Sequence, residues 1–195
     1  MEEAVQRKPI LVFSSVAFGL VAFLIAVALG TVLTASTGIP LIGGLLNGIV
    51  TAAVLTIGLL ATRYAGSATT MWLVFSVAAI PTTTLGPPGV YKVCIGVLAG
   101  LLWDAIYMIA RRHRIALYVG AVVGSASIMF SLVAALSMGF GRDASAALEK
   151  YRAAFLMLLA VNLLITLIGV WFGDYSYSRR LKDLPAFKNL ARHAE

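Results

Sequence analysis

Lys92, Gly96, Gly100 and Asp104 recur at intervals of four inside one apolar run, "YKVCIGVLAGLLWDAIY". That spacing places a cation, two glycines and an acid along one face of a helix. An acid within a membrane span usually faces the bundle interior or a wet cavity. Asp104 is therefore a candidate ligand or ion-coupling contact. It is equally a candidate for a structural hydrogen bond to Tyr107, Asn47, Asn162 or a backbone group. Gly96 and Gly100 form a G-x-x-x-G pair that lets another helix approach closely. Just upstream lies "TTTLGPPGVYK", residues 82–92. Pro87 and Pro88 stiffen this stretch, and Gly86 and Gly89 permit sharp backbone geometry. Tyr91 adds an aromatic face with a hydroxyl, and Lys92 a cation. Such a turn can hold Pro87, Tyr91 and Lys92 over a small heteroaromatic or anionic ligand, or it is simply a turn.

Other polar residues lie deep in apolar runs. Asn47/Thr51, Ser127/Ser131 and Asn162/Thr166 are i, i+4 pairs that either line a small-molecule pocket or bridge helices. Asn162 is taken as a further ligand contact. Near the N-terminus Ala22, Ala26 and Gly30 repeat at four-residue spacing, with Gly19 beside them. A small-residue stripe of this kind permits tight helix contact in lipid, with a partner either inside the chain or outside it.

Catalytic chemistry is not legible. The phosphate-binding G-x-x-x-x-G-K-[ST] pattern, H-E-x-x-H and G-x-S-x-G are all absent. His113 and His193 lack nearby cysteine or histidine partners, so no metal site is expected, and no cofactor. The single Cys94 excludes an intrachain disulfide. The chain reads as a non-enzyme, and any ATP hydrolysis it depends on belongs to another subunit.

The elements that carry these residues follow from composition. Of 195 residues, 61% are hydrophobic and 12% charged, whereas soluble domains carry roughly a quarter charged residues. This predicts an all-α, multi-pass protein of the cell membrane with residues 1–195 as one membrane domain. Six apolar segments are expected as spans: 9–35, 39–62, 68–85, 89–110, 115–140 and 153–173. The third is the least regular, because Pro81 and three threonines occupy its end. The motif Ala26-Val27-Ala28 resembles a signal-peptidase site, but the run from Ile10 to about Ala35 is too long for a signal sequence, so a retained first helix is expected. Fifteen basic residues divide eleven to four between the two sides, which predicts cytoplasmic termini for the six-helix bundle. The net charge of +7 follows from that flanking pattern and does not call for a nucleic-acid partner.

Taken together, the six spans, the small-residue stripe of the first helix and "GPPGVYKVCIGVLAGLLWD" resemble the membrane-embedded substrate-binding (S) component of an energy-coupling factor (ECF) transporter. In layout the resemblance is closest to the thiamine or pyrimidine-precursor type. It covers residues 10 to about 173. The resemblance implies uptake of a vitamin or vitamin precursor, bound near the outer surface. It further implies partnership with a shared transmembrane subunit and two ATPase subunits, the first-helix stripe at Ala22, Ala26 and Gly30 being the docking face. Phe18 stands where a strict three-alanine series would have its first member. Outside this family, the residues are compatible with a stand-alone carrier that titrates Asp104, or with a non-transporting subunit of a membrane complex.

Overall fold

The computed structural model describes residues 2–37, 40–85, 88–110, 112–140 and 152–194. Among these the regular structure is entirely helical. The helices are α1 (Glu2–Thr37), α2 (Pro40–Thr62), α3 (Ser67–Ala79), α4 (Tyr91–Ile109), α5 (Arg114–Phe140), α6 (Arg152–Ser176) and α7 (Pro185–Ala194). A π-helical turn, Tyr177–Leu181, follows α6.

Among the described residues four segments are long and apolar enough to cross a membrane: Lys8–Ser36, Tyr91–Ile109, Arg114–Ala135 and Arg152–Leu181. The stretch Asn47–Thr62 within α2 is apolar as well, and α3, Ser67–Ala79, is apolar but short. The helical, apolar character read from composition is therefore present, and among the described residues four of the six expected spans have the length and composition to cross a membrane. The third apolar segment ends at Ala79, six residues earlier than the sequence suggests. Pro81 is the physical reason: it has no N–H with which to continue the helical ladder. Thr82 then folds back, its hydroxyl donating to the Ala79 carbonyl, and Gly89 N–H closes the loop onto Ile80.

Helix neighbours run α1–α2–α6–α5–α4–α3 and return to α1, so six helices form a closed ring. Glycines set the close approaches. A methyl group at Gly19 would meet the backbone of Met71, one at Gly100 the backbone of Thr69, and one at Gly173 that of Ala53. The core between α1, α2, α3, α4 and α5 is built from Ala22, Leu55, Leu59, Met71, Phe75, Ala99 and Leu117. At one end Phe187 of α7 packs against Phe18 and Tyr177, ring centroids 6.3 and 6.0 Å away. The C-terminal tail is thus a helix seated on the ring, through its apolar side.

Candidate functional site

The stripe on α4 is a clamp on α3. At the start of α3, Gly66 supplies no side-chain cap, leaving first-turn amides without an intrahelical acceptor. Asp104 fills that role from the neighbouring helix. Its carboxylate accepts the amides of Ala68 (3.1 Å) and Thr69 (2.8 Å) and the Thr69 hydroxyl (2.6 Å). At the other end of α3, the Lys92 ammonium donates to the carbonyls of Ala79 (2.9 Å) and Thr82. An acid therefore sits at the N-terminus and a cation at the C-terminus of α3, each matching the helix macrodipole. Twelve residues separate Lys92 from Asp104, the same number that separates Ser67 from Ala79. Between the two clamps, Gly96 gives way to Ser76 and Trp72, and Gly100 to Ala68 and Thr69.

This geometry corrects two expectations. Lys92 has no accessible surface and both its contacts are backbone carbonyls of its own chain, so it is not free to meet a ligand. Ala22 and Ala26 are also buried, at 0% and 1% exposure, within the core of the ring. They cannot form an external docking face, because α1 turns this stripe towards α2 and α3, where small side chains let the backbones close up. Gly30 is half-buried and opposes the Asn47 amide. Pro87 lies outside the described residues. Tyr91 is half-buried beside Gly89 and is not among the residues lining the chamber described next.

A chamber of about 350 Å³ lies inside the ring, bounded by α2, α3, α4, α5, α6 and the threonine turn. Its volume is in the range of small-molecule sites. Trp72 and Phe75 from α3 and Trp103 from α4 provide aromatic walls, the first two edge to face at 5.5 Å. Gly120 of α5 leaves room for the Trp103 indole. Polar groups enter from the opposite side. Asn162 Nδ2 donates to Ser125 Oγ at 2.7 Å, and Thr166 Oγ1 lies 2.9 Å from both Ser125 Oγ and the Asn162 carbonyl. Asn47, Thr51, Thr83 and Thr84 complete the polar rim.

Five buried side-chain polar atoms have no hydrogen-bond partner among the described residues. Three of them, Asn47 Oδ1, Trp72 Nε1 and Trp103 Nε1, belong to residues lining this one chamber. The other two, Thr56 Oγ1 and Ser76 Oγ, lie where Gly173 and Gly96 pack. Unsatisfied buried polar groups are uncommon and call for a reason. These three atoms have almost no accessible surface, so they lie within the chamber wall, Trp103 Nε1 on the side of Gly120, around a space the size of a one- or two-ring molecule. Among the chamber-lining residues none is charged. No family model, curated protein or solved structure matches the chain, so the chamber itself carries the functional reading.

Sequence reasoning picked out Asn162 together with the Asn47/Thr51 and Asn162/Thr166 pairs, and the ring brings all of these to the chamber. Ser127 instead donates to the Gly124 carbonyl of its own helix. Neither Trp72 nor Trp103 stands among the candidate residues read from the sequence. The available signal was a tryptophan one residue before the acid of "GLLWD" and another in mid-run of a short segment, since tryptophan N–H groups inside a membrane need partners.

Proposed function

We propose that the chain is the membrane-embedded substrate-binding subunit of an ECF-type transporter for a vitamin or vitamin precursor. It would cross the membrane six times with both termini in the cytoplasm, and work with a shared transmembrane subunit and two ATPase subunits. The observation supporting this reading is the uncharged chamber with aromatic walls and the Asn47, Ser125 and Asn162 polar groups, built beside the turn that the sequence resemblance singles out. A neutral, flat ligand suits it: no charged residue lines the chamber, the aromatic walls stack on a ring, and the asparagine, serine and threonine side chains offer hydrogen bonds. Asp104 is fully engaged in capping α3, which speaks against a carrier that titrates this acid.

The test is mass spectrometry of small molecules co-purifying with the protein, followed by binding of the identified compound to Asn47→Ala, Ser125→Ala and Asn162→Ala. Loss of one hydrogen bond to the ligand is expected to weaken affinity about tenfold, corresponding to about 1–1.5 kcal/mol. A co-purifying compound whose affinity is unchanged in all three variants would remove the chamber from consideration.

A further inference from the structure

A second concavity, of about 390 Å³, opens at the end of the ring that carries α7, remote from the threonine turn. Four cations line it, Arg114 at the start of α5 and three others that come from three separate turns. Arg63 comes from the α2–α3 turn, Arg112 from the α4–α5 turn, and Lys182 from the segment after the π-helical turn. Tyr107 and Tyr177, both 6% exposed, line it between them. Arg63 and Arg112 are near enough to act electrostatically on Tyr107, and Arg63 also acts on Tyr177. Among the described residues neither tyrosine hydroxyl has a hydrogen-bond partner.

The one acid in this basin is already committed. Asp174 accepts from Arg114 Nε at 2.7 Å and from the Tyr118 hydroxyl at 2.8 Å. Arg63, Arg112 and Lys182 have no carboxylate within ion-pair distance among the described residues. Basic residues are expected at one membrane surface for reasons of topology alone, but topology needs only that they lie outside the bilayer. Here they converge on one cavity. Two of them also hold unfavourable backbone: of the three non-glycine residues with positive φ among the described residues, Arg63 and Arg112 stand at +45° and +62°. Left-handed backbone is disfavoured for arginine and comfortable for asparagine.

We propose that this basin binds a phosphate group, with Arg63, Arg112 and Lys182 supplying charge and the Tyr107 and Tyr177 hydroxyls supplying neutral donors. Guanidinium groups match phosphate oxygens with paired N–H bonds, and basic pockets between membrane helices suit anionic headgroups. The same chemistry fits the phosphodiester of an anionic lipid or a free phosphate. This inference is independent of the chamber on the far side of the ring.

The experiment uses the full chain in detergent and two probes, phosphatidylglycerol and inorganic phosphate. Native mass spectrometry reads lipid retention against phosphatidylcholine, and thermal unfolding reads phosphate against chloride at equal ionic strength. We expect at least tenfold preference for phosphatidylglycerol or a clear upward shift in Tm with phosphate. The first result alone assigns the site to a lipid headgroup, and the second alone to a free phosphate. Either signal should fall about tenfold in the Arg63→Asn/Arg112→Asn double variant, whose unliganded Tm should equal or exceed that of the parent. Arg152→Asn, at the opposite end of α6, should change nothing. If the double variant does not fold, Lys182→Gln, which alters an exposed side chain, should still reduce the signal about threefold. Response to neither probe, or an undiminished response in the variants that fold, would overturn the proposal.

Discussion

If α4 clamps α3 at both ends, replacing Asp104 should be a stability mutation before it is a functional one. In Asp104→Ala, the amides of Ala68 and Thr69 and the Thr69 hydroxyl lose their acceptor together. A buried donor left without a partner costs about 1–3 kcal/mol. The hydroxyl can rotate to another acceptor, but the two amides are fixed by the helix, which gives about 2–6 kcal/mol. Removing a carboxylate that is only 6% exposed returns part of this, because burial of a charge is itself unfavourable. A net loss of about 2–4 kcal/mol remains, which for a chain of this size corresponds to a fall in Tm of roughly 4–16 °C. Asp104→Asn retains one acceptor oxygen and should lose about half as much. Tryptophan fluorescence during heating of the detergent-purified protein is a suitable assay. The reasoning is refuted if Asp104→Ala melts within about 2 °C of the parent. Loss of transport in Asp104→Asn with unchanged Tm would instead make this acid a coupling group.

Two further predictions concern packing and sidedness. Ala22→Trp and Ala26→Trp should each lower Tm or prevent folding, since overfilling a packed core commonly costs about 1–3 kcal/mol or more; a stable, monodisperse double variant would mean that α1 presents the stripe outward after all. In a Cys94→Ser background, a cysteine at Thr83 should react with an impermeant reagent in intact cells, and one at Asp183 only after permeabilisation. The reverse pattern would invert the proposed orientation.

The sequence made the helical membrane class legible because apolar length and charge placement depend on no tertiary partner. It also showed that Lys92, Gly96, Gly100 and Asp104 share a face. Spacing identifies a face but not what lies opposite, so Lys92 was assigned to a ligand when its partners are carbonyls at the end of α3. The same limit explains Ala22 and Ala26: a stripe of small residues reads alike whether the neighbouring helix belongs to the chain or to another protein. The chamber needed more than either. Asn47, Trp72, Trp103, Ser125 and Asn162 come from five different helices, and only the ring order α1–α2–α6–α5–α4–α3 brings them together. Pro81 was a readable stop, yet the helix ends before it at Ala79, because the proline leaves the preceding turn without its continuing amide.

The shortness of α3 bears on how the protein can be made. Thirteen residues rise only about 20 Å, against a hydrocarbon thickness of about 30 Å. Placed alone in lipid, α3 would leave the polar groups of its termini without water to receive them. During synthesis α3 emerges before α4, so for a time neither Asp104 nor Lys92 is available to it. The two helices therefore have reason to enter the bilayer as a hairpin, with α3 held at the insertion machinery until its successor is complete. A ribosome stalled so that α3 has cleared the exit tunnel while α4 remains inside should leave α3 unintegrated and open to protease or to extraction, whereas stalling far enough past residue 104 for the acid to clear the ribosome should secure both helices at once.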